Sequence, residues 1–183
     1  MERLTIEPKN RIVTVGRLAL VKGHRFLIEA FAKVNNTDWE LSIIGDGEER
    51  KRLEELAFNL GVAERVLFYG QLTDFSQQLS ESKIFVLPSL KEGFPNALLE
   101  AMSIPLACIT SDFFKGKNEI IEHGVNGFIV TPGNAIELAD AINILINNSD
   151  LRDKLAKNAY RVREDYSFKK IAQQYLDFIL TDK

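Results

Sequence analysis

A chain of 183 residues is long enough for one sizeable hydrophobic core, so we expect a single domain over residues 1–183. Hydrophobic residues make up 45% and charged residues 27%, which excludes a disordered or a membrane-spanning chain. The formal net charge of -3 gives no electrostatic footprint for nucleic acid, so we expect no nucleic-acid partner.

The N-terminal segment and the cysteine content point to a cytoplasmic protein. Residues 1–8 lack the apolar core of a signal peptide, and no later stretch is apolar for long enough to span a bilayer. Cys108 is the one cysteine of the sequence, which rules out a disulfide within the chain. Its position in an apolar run indicates a buried, inert thiol.

Short β-branched runs alternate with segments of helical period along the chain, as in a parallel sheet covered by helices on both faces. The nearly continuous apolar runs predict strands at residues 11–15, 40–44, 66–68, 84–87, 106–109 and 127–130. The helical segments are residues 25–34, 48–60, 75–81, 96–103, 117–122 and 136–146, followed by 151–163 and 168–180. The sequence therefore predicts an α/β fold, a Rossmann-like doubly wound parallel sheet of about six strands with extra C-terminal helices.

The loop after the first strand offers two cations. Gly16 permits a sharp turn, after which Arg17 and Lys22 could reach one anion such as a diphosphate. Ligands of open parallel sheets bind at this edge, beyond the carboxyl ends of the strands. The alternative is a solvated loop with two ordinary basic residues.

The segment Gly45-Asp46-Gly47 follows the second strand but does not complete a dinucleotide fingerprint. Arg50 stands where the third glycine of G-x-G-x-x-G would be, so a tight strand-to-helix turn is the better interpretation. The sequence contains no Walker A motif, which argues against a P-loop nucleotidase.

Residues 88–100 run from a strand end through a loop into a helix. Pro95 suits the first helical turn, so we expect the free amides of Asn96, Ala97 and Leu98 to form an anion site. Glu92 lies on the loop and Glu100 within the helix, rotated away from the apolar face. Ionised carboxylates only accept hydrogen bonds, which suits the adjacent hydroxyls of a ribose or a hexose.

Glu92-Gly93-Phe94-Pro95 followed by Glu100 resembles the E-x7-E motif of retaining GT-B glycosyltransferases, in particular glycosyltransferase family 4. Residues 16–23 resemble the G-R-L…K-G donor loop of that family. Residues 116–121 and 124–128 resemble its G-x-x-E-I and N-G-x-L-V segments, although Lys115-Gly116 replaces the usual glycine pair. The matches occur in the family order over residues 16–132 and, taken together, are more specific than any one of them.

The resemblance implies a role for each matching residue. Glu92 would hold the transferred sugar and be the catalytic candidate, Glu100 would bind the ribose, and Arg17 and Lys22 would neutralise the diphosphate. The full set of implied donor-binding residues is Gly16, Arg17, Lys22, Gln71, Gly93, Phe94, Pro95, Asn96, Ala97, Leu98 and Glu100, with Gly116 and Lys117 as candidate phosphate contacts.

The implied function is glycosyl transfer from a nucleotide sugar, UDP- or GDP-linked, in polysaccharide, lipopolysaccharide or glycoconjugate synthesis. We expect no cofactor and no metal, because the sequence has no Asp-x-Asp and neither His24 nor His123 has partners at metal-ligand spacing. We expect both histidines to be structural.

Family members also have an N-terminal acceptor-binding domain, which nothing in this sequence matches. We expect that domain to be a partner of this chain, to mediate any association with the inner face of the membrane, and to be needed for efficient transfer. Two alternatives remain open at this stage. One is a sugar-nucleotide epimerase of GT-B fold, and the other is a non-catalytic α/β binding module whose glutamates are merely solvated.

Overall fold

A computed structural model describes residues 8–113, 116, 120–166, 170, 172, 173 and 176. In this part of the chain the strands are β1 Arg11–Val15, β2 Glu40–Ile44, β3 Val66–Gly70, β4 Ile84–Leu87, β5 Ala107–Ser111 and β6 Phe128–Val130. The helices are α1 His24–Phe31, α2 Arg50–Asn59, α3 Ser76–Ser80, α4 Asn96–Met102, α5 Ala135–Asn147, α6 Ser149–Ala159 and α7 Val162–Asp165. Two 3₁₀ turns, Leu20–Lys22 and Ala63–Arg65, complete the described elements.

The six strands form one sheet in the order β3-β2-β1-β4-β5-β6, and all of their pairings are parallel. The chain leaves β1 to build β2 and β3 on one side and then returns to build β4 to β6 on the other. The strand order therefore reverses between β1 and β4, which makes the crevice between the loops after these strands the expected ligand site. This topology confirms the predicted Rossmann-like doubly wound sheet.

Each face of the sheet buries a separate apolar cluster, because successive side chains of a strand point to opposite faces. Ile12 of β1 faces the cluster that includes Leu27, Phe31 and Ile142 from α1 and α5. Val13 faces the other cluster, which includes Leu98 and Met102 of α4 and Cys108 of β5. Cys108 is fully buried and free, as the sequence predicted.

The predicted bounds hold best for the strands, and the main differences concern the helices. The helix expected at residues 151–163 is divided into α6 and α7, and the 3₁₀ turn at Leu20–Lys22 was not predicted. Residues 120–122 are not helical, so the helix expected at 117–122 is wrong there, while residues 117–119 lie outside the described part. Most of the helix expected at 168–180 also lies outside it.

At the amino end of the sheet, a buried arginine ties three elements together. The Arg11 guanidinium donates to Glu81 Oε2, beyond the end of α3, and to Glu40 Oε2 at the start of β2, both at 3.1 Å. The Arg11 side chain is only 7% exposed, against 16% for Glu81 and 47% for Glu40. This network of ionic groups at the amino end thus serves the packing of the fold.

Candidate functional site

The reversal of strand order brings Lys22 and Glu92 together. Lys22 ends the 3₁₀ turn after β1, and Glu92 lies in the loop after β4. The Lys22 ammonium donates to both carboxylate oxygens of Glu92, at 2.7 and 2.8 Å. Only 8% of the Glu92 side chain and 28% of the Lys22 side chain are exposed, so this ion pair is largely withdrawn from water.

Two buried serines support Glu92, one directly and the other through the backbone. The Ser89 hydroxyl donates to Glu92 Oε1 at 2.7 Å, and Ser89 itself is fully buried. The Ser111 hydroxyl, at the end of β5, donates in turn to the Ser89 carbonyl. Glu92 is thereby fixed by groups from two neighbouring strand ends. Neither serine was predicted from the sequence. The signal that could have identified them is the position of each at the carboxyl end of an apolar strand.

The loops that carry Lys22 and Glu92 are in direct backbone contact. Gly23 has φ of +69°, and a Cβ added there would stand 2.1 Å from the Pro88 carbonyl oxygen. The Leu90 amide donates to the Val21 carbonyl at 2.8 Å. Only glycine allows both the left-handed conformation and this approach. We refer to this contact between residues 21–23 and 88–90 as the loop clamp.

A cleft of about 640 Å³ opens at the carboxyl ends of the first three strands, and neither Lys22 nor Glu92 is among its lining residues. Its walls are Val15, Gly16, Arg17, Ile44, Gly45, Asp46, Gly47, Gln71, Leu72 and Phe75. Arg17 lies on its rim, 71% exposed, and donates to Glu48 Oε2 at 3.0 Å. Arg17 and Lys22 therefore engage different carboxylates in this structure, although both lie at the predicted edge of the sheet.

The G-x-G segment forms part of this cleft and is shaped by close backbone packing. A Cβ added at Gly45 would stand 2.0 Å from the Gly16 carbonyl oxygen, and one added at Gly47 would stand 2.4 Å from that of Leu18. The Leu18 amide also donates to the Asp46 carbonyl at 2.9 Å. The interpretation as a tight strand-to-helix turn is confirmed, while its place in the wall of the cleft was not predicted.

The start of α4 differs from the expectation of three free amides. The Asn96 amide donates to the Phe94 carbonyl at 3.1 Å, and the Leu98 amide donates to the Pro95 carbonyl at 3.0 Å. Pro95 precedes the helix with φ of -88° and ψ of 65°, a tight turn that folds the next amide back on the chain. Among these three amides, that of Ala97 alone makes no hydrogen bond within the described residues.

Glu100 and Glu92 lie in different surroundings. Glu100 is exposed and lines a smaller cleft of about 240 Å³ between α4 and the start of α3, together with Asp74, Phe75 and Ser103. Phe75 lines both this cleft and the larger one, so the two clefts share this residue as a wall. Gln71, expected beside the base, lies in the larger cleft, and Gly93 and Phe94 are exposed on the loop before α4.

His24 is buried at the first position of α1, against Gly16 and the stem of Lys22. A Cβ added at Gly16 would stand 3.8 Å from Cε1 of the His24 ring and 3.9 Å from Cδ of Lys22. Burial and, secondarily, the charge of Lys22 lower the pKa of His24 to about 4. The imidazole is therefore neutral at physiological pH, in agreement with the structural role expected for it.

The remaining predicted residues follow β5. The Gly116 amide donates to both carboxylate oxygens of Asp112, at 2.9 and 2.8 Å, so this amide is already engaged by an acidic side chain. Lys117, the other candidate phosphate contact, lies outside the described residues. Asn126 of the N-G segment has a local structural role, since its side chain accepts from the Glu122 amide at 2.7 Å and donates to the Ile120 carbonyl at 3.0 Å.

Two general features of the described residues bear on the class of protein. None of their helices is both long enough and apolar enough to cross a bilayer. Their His, Cys, Asp and Glu side chains form no cluster of three or more that could hold a metal ion.

The chain resembles known glycosyltransferases. The family model described as glycosyl transferases group 1 matches residues 1–162. An uncharacterised glycosyltransferase of Haemophilus influenzae is 32% identical over 181 residues, which cover 93% of this chain and 51% of that protein. The lipopolysaccharide core biosynthesis glycosyltransferase LpsE of Rhizobium meliloti is 33% identical over 171 residues, 92% of this chain and 49% of LpsE. The chain thus spans about half the length of the curated relatives it matches.

A solved structure shares both the fold and detectable sequence similarity. The Anabaena HepE protein in complex with UDP-glucose superposes with a TM-score of 0.84 and 28% sequence identity. The match covers 94% of this chain and 49% of HepE.

Proposed function

Because this chain belongs to the group 1 glycosyl transferases, we propose that it binds a nucleotide-sugar donor whose glycosyl group is then transferred to an acceptor. The observation that carries the proposal is the largely buried Lys22–Glu92 pair at the reversal of strand order, at the same sheet edge as the cleft of about 640 Å³ that Gly16 and Arg17 line. A volume of this size suits a ligand as large as a nucleoside diphosphate. In this proposal, Lys22 and Glu92 would lie where the diphosphate meets the sugar.

Each group in the site has a chemical task in this proposal. Cleavage of the anomeric bond builds negative charge on the departing diphosphate, which Lys22 and Arg17 would stabilise. The sugar ring gains positive charge in the same step, and the negative charge of the Glu92 carboxylate would tolerate it. The same carboxylate would accept hydrogen bonds from sugar hydroxyls. The cations would supply the charge that a metal provides elsewhere, so the proposed reaction needs no metal and no cofactor.

The nucleoside would occupy the outer part of the site. Glu100 would accept hydrogen bonds from the ribose, Gln71 would lie beside the base, and the loop and first turn at residues 93–98 would contact sugar and phosphate. Gly16 would permit close approach of the diphosphate, and Gly116 and Lys117 would lie on its far side. The UDP-glucose bound by HepE supports a uridine donor, with a guanosine donor as the other candidate.

The larger reaction is proposed by analogy with the full-length relatives. An N-terminal acceptor-binding domain would complete the enzyme and carry any contact with the inner face of the membrane, so the site would work in the cytoplasm. The lipopolysaccharide role of LpsE supports an acceptor in polysaccharide, lipopolysaccharide or glycoconjugate synthesis. The E-x7-E spacing supports transfer with retention of anomeric configuration.

The experiment that tests donor binding is a thermal-shift panel of UDP, GDP and their common sugar conjugates, followed by calorimetry on the compounds that raise the Tm. We expect at least one nucleotide sugar to stabilise the protein. Folded protein that shows neither a shift nor heat with any compound would refute the proposal.

A matched pair of variants locates the nucleoside. Glu100→Ala should weaken nucleoside diphosphate binding by roughly 1.5 to 3 kcal/mol, because it removes a charged acceptor from the ribose. Glu55→Ala removes an exposed carboxylate on α2 that lines neither cleft, and we expect it to bind as the wild type does. Equal affinity in both variants would remove Glu100 from the site.

A further inference from the structure

Lys22 and Glu92 bind each other in the structure, although the proposed function assigns them to different parts of the donor. The ammonium contacts both carboxylate oxygens within 2.8 Å, so a phosphate that approaches Lys22 has Glu92 as a competitor. Two of the three N–H donors of the ammonium are directed at Glu92, so a ligand that engages more than the third donor must take them from the carboxylate.

The release of Lys22 has a consequence for Glu92. A carboxylate that is only 8% exposed is strongly destabilised when its charge partner is removed. Among the described residues, Ser89 would then be its remaining hydrogen-bond donor, through the 2.7 Å contact to Oε1. The acceptor positions vacated by Lys22 would need new donors, and hydroxyl groups of a sugar are suitable ones.

Ser89 is held in position independently of the Lys22 side chain. Its carbonyl accepts from the Ser111 hydroxyl, and the next amide, that of Leu90, donates to the Val21 carbonyl at 2.8 Å. The loop clamp thus fixes the backbone on both sides of the pair, whereas Lys22 has a flexible four-carbon stem. The side chain of Lys22 can change partners while Glu92 keeps its position.

We propose that donor binding exchanges the partners of this ion pair. Lys22 passes from Glu92 to the diphosphate, the sugar hydroxyls take its place on Glu92, and Ser89 is the positioning residue that holds the carboxylate throughout. The inference rests on the proposed function and deepens it. It explains how one small site can couple recognition of the phosphate to recognition of the sugar.

Inorganic pyrophosphate tests the exchange, because it recruits Lys22 but brings no sugar hydroxyls. Glu92→Gln releases Lys22 from its competitor and should tighten pyrophosphate binding by roughly threefold or more. Ser89→Ala leaves Glu92 more dependent on Lys22 and should weaken binding by a similar factor. Ser42→Ala is the control, since Ser42 is also fully buried in the sheet but its hydroxyl has no partner among the described residues, and we expect no change.

The double variant separates positioning from a general structural role. In the Glu92→Gln background there is no charge left to hold, so adding Ser89→Ala should leave pyrophosphate affinity unchanged. A loss of affinity in both backgrounds would overturn the role of Ser89. If Glu92→Gln binds pyrophosphate no more tightly than the wild type, the proposed exchange is wrong. This measurement tests the exchange even if Ser89→Ala does not fold.

The two levels of the proposal fail differently. Wild-type protein that binds neither pyrophosphate nor any compound of the nucleotide panel refutes the proposed function and the exchange with it. Wild-type protein that binds them, with the variants in the wrong order, refutes the exchange alone. Circular dichroism and thermal unfolding of each variant confirm that the folded state is the one measured.

Discussion

Two basic side chains lie next to each other where β1 leads into α1, and only one of them is charged at neutral pH. Lys22 is partly exposed and paired with Glu92, whereas His24 is buried with Nδ1 lacking a hydrogen-bond partner in the described structure. The neutral imidazole fills space beside Gly16 without adding a second cation to the pair. Because His24 is buried and neutral, Lys22 and Arg17 carry the positive charge of this loop.

The low pKa of His24 makes stability depend on pH. The pKa is about 4 in the folded state, against an ordinary value of 6.5 for a histidine, so between these values the unfolded chain binds more protons. The free energy of unfolding should be fully retained above pH 6.5 and should fall as the pH drops toward 4, by on the order of 3 kcal/mol in total. Urea unfolding of the wild type and His24→Gln at several pH values measures this, and parallel profiles would contradict it.

At the scale of elements, the loop clamp sets the spacing between the end of β1 and the end of β4. The loop clamp requires glycine at position 23 for two reasons: the backbone there is left-handed, and there is no room for a Cβ. Gly61 offers a matched comparison, since its φ is +71° and a Cβ there would meet nothing within 4 Å.

The comparison separates backbone strain from the close contact. Gly61→Ala should cost about 1 kcal/mol of unfolding free energy, from the left-handed conformation alone. Gly23→Ala should cost about 2 to 4 kcal/mol, because the clash with the Pro88 carbonyl adds to the same strain. It should also weaken nucleotide binding, because the clash displaces the backbone of the loops that position Lys22 and Glu92 for the donor. Equal losses of stability in the two variants, measured by urea unfolding, would show that the contact is unimportant.

The elements could be predicted well where periodicity determines them. β1, β2 and β4 begin and end at the predicted residues, since each is an apolar run bounded by polar or turn residues. The 3₁₀ turn at Leu20–Lys22 carries no such pattern and was missed. The Lys22–Glu92 contact was missed as well, because it depends on which strands are neighbours in the sheet, and that order is not encoded in local spacing.

At the scale of the whole molecule, the two ends of the sheet have different tasks. The carboxyl end carries the larger cleft and the Lys22–Glu92 pair, and the amino end carries the Arg11 network. The two ends of the sheet are separated by about the length of one strand. Substitutions at the amino end should therefore change stability without changing ligand binding.

Arg11→Ala tests this separation. It removes a buried cation from Glu81 and Glu40, and we expect a loss of roughly 1 to 3 kcal/mol in unfolding free energy, moderated because Lys9 still contacts Glu81 at 3.1 Å. Calorimetry below the lowered Tm should give the wild-type affinity for the nucleotide that the panel identifies. A marked loss of affinity in folded Arg11→Ala protein would show that the two ends are coupled.

The buried thiol of Cys108 provides a natural reporter of this architecture. It lies within β5, paired with β4 on one side and β6 on the other, and burial raises its pKa, so the reactive thiolate is suppressed as well as shielded. The thiol is covered by the apolar cluster that α4 contributes to this face of the sheet, so a thiol reagent can reach the sulfur only when that cluster opens. Its labelling rate in native buffer therefore measures spontaneous opening of this layer, and a bound ligand that holds α4 in place would be read out as slower labelling.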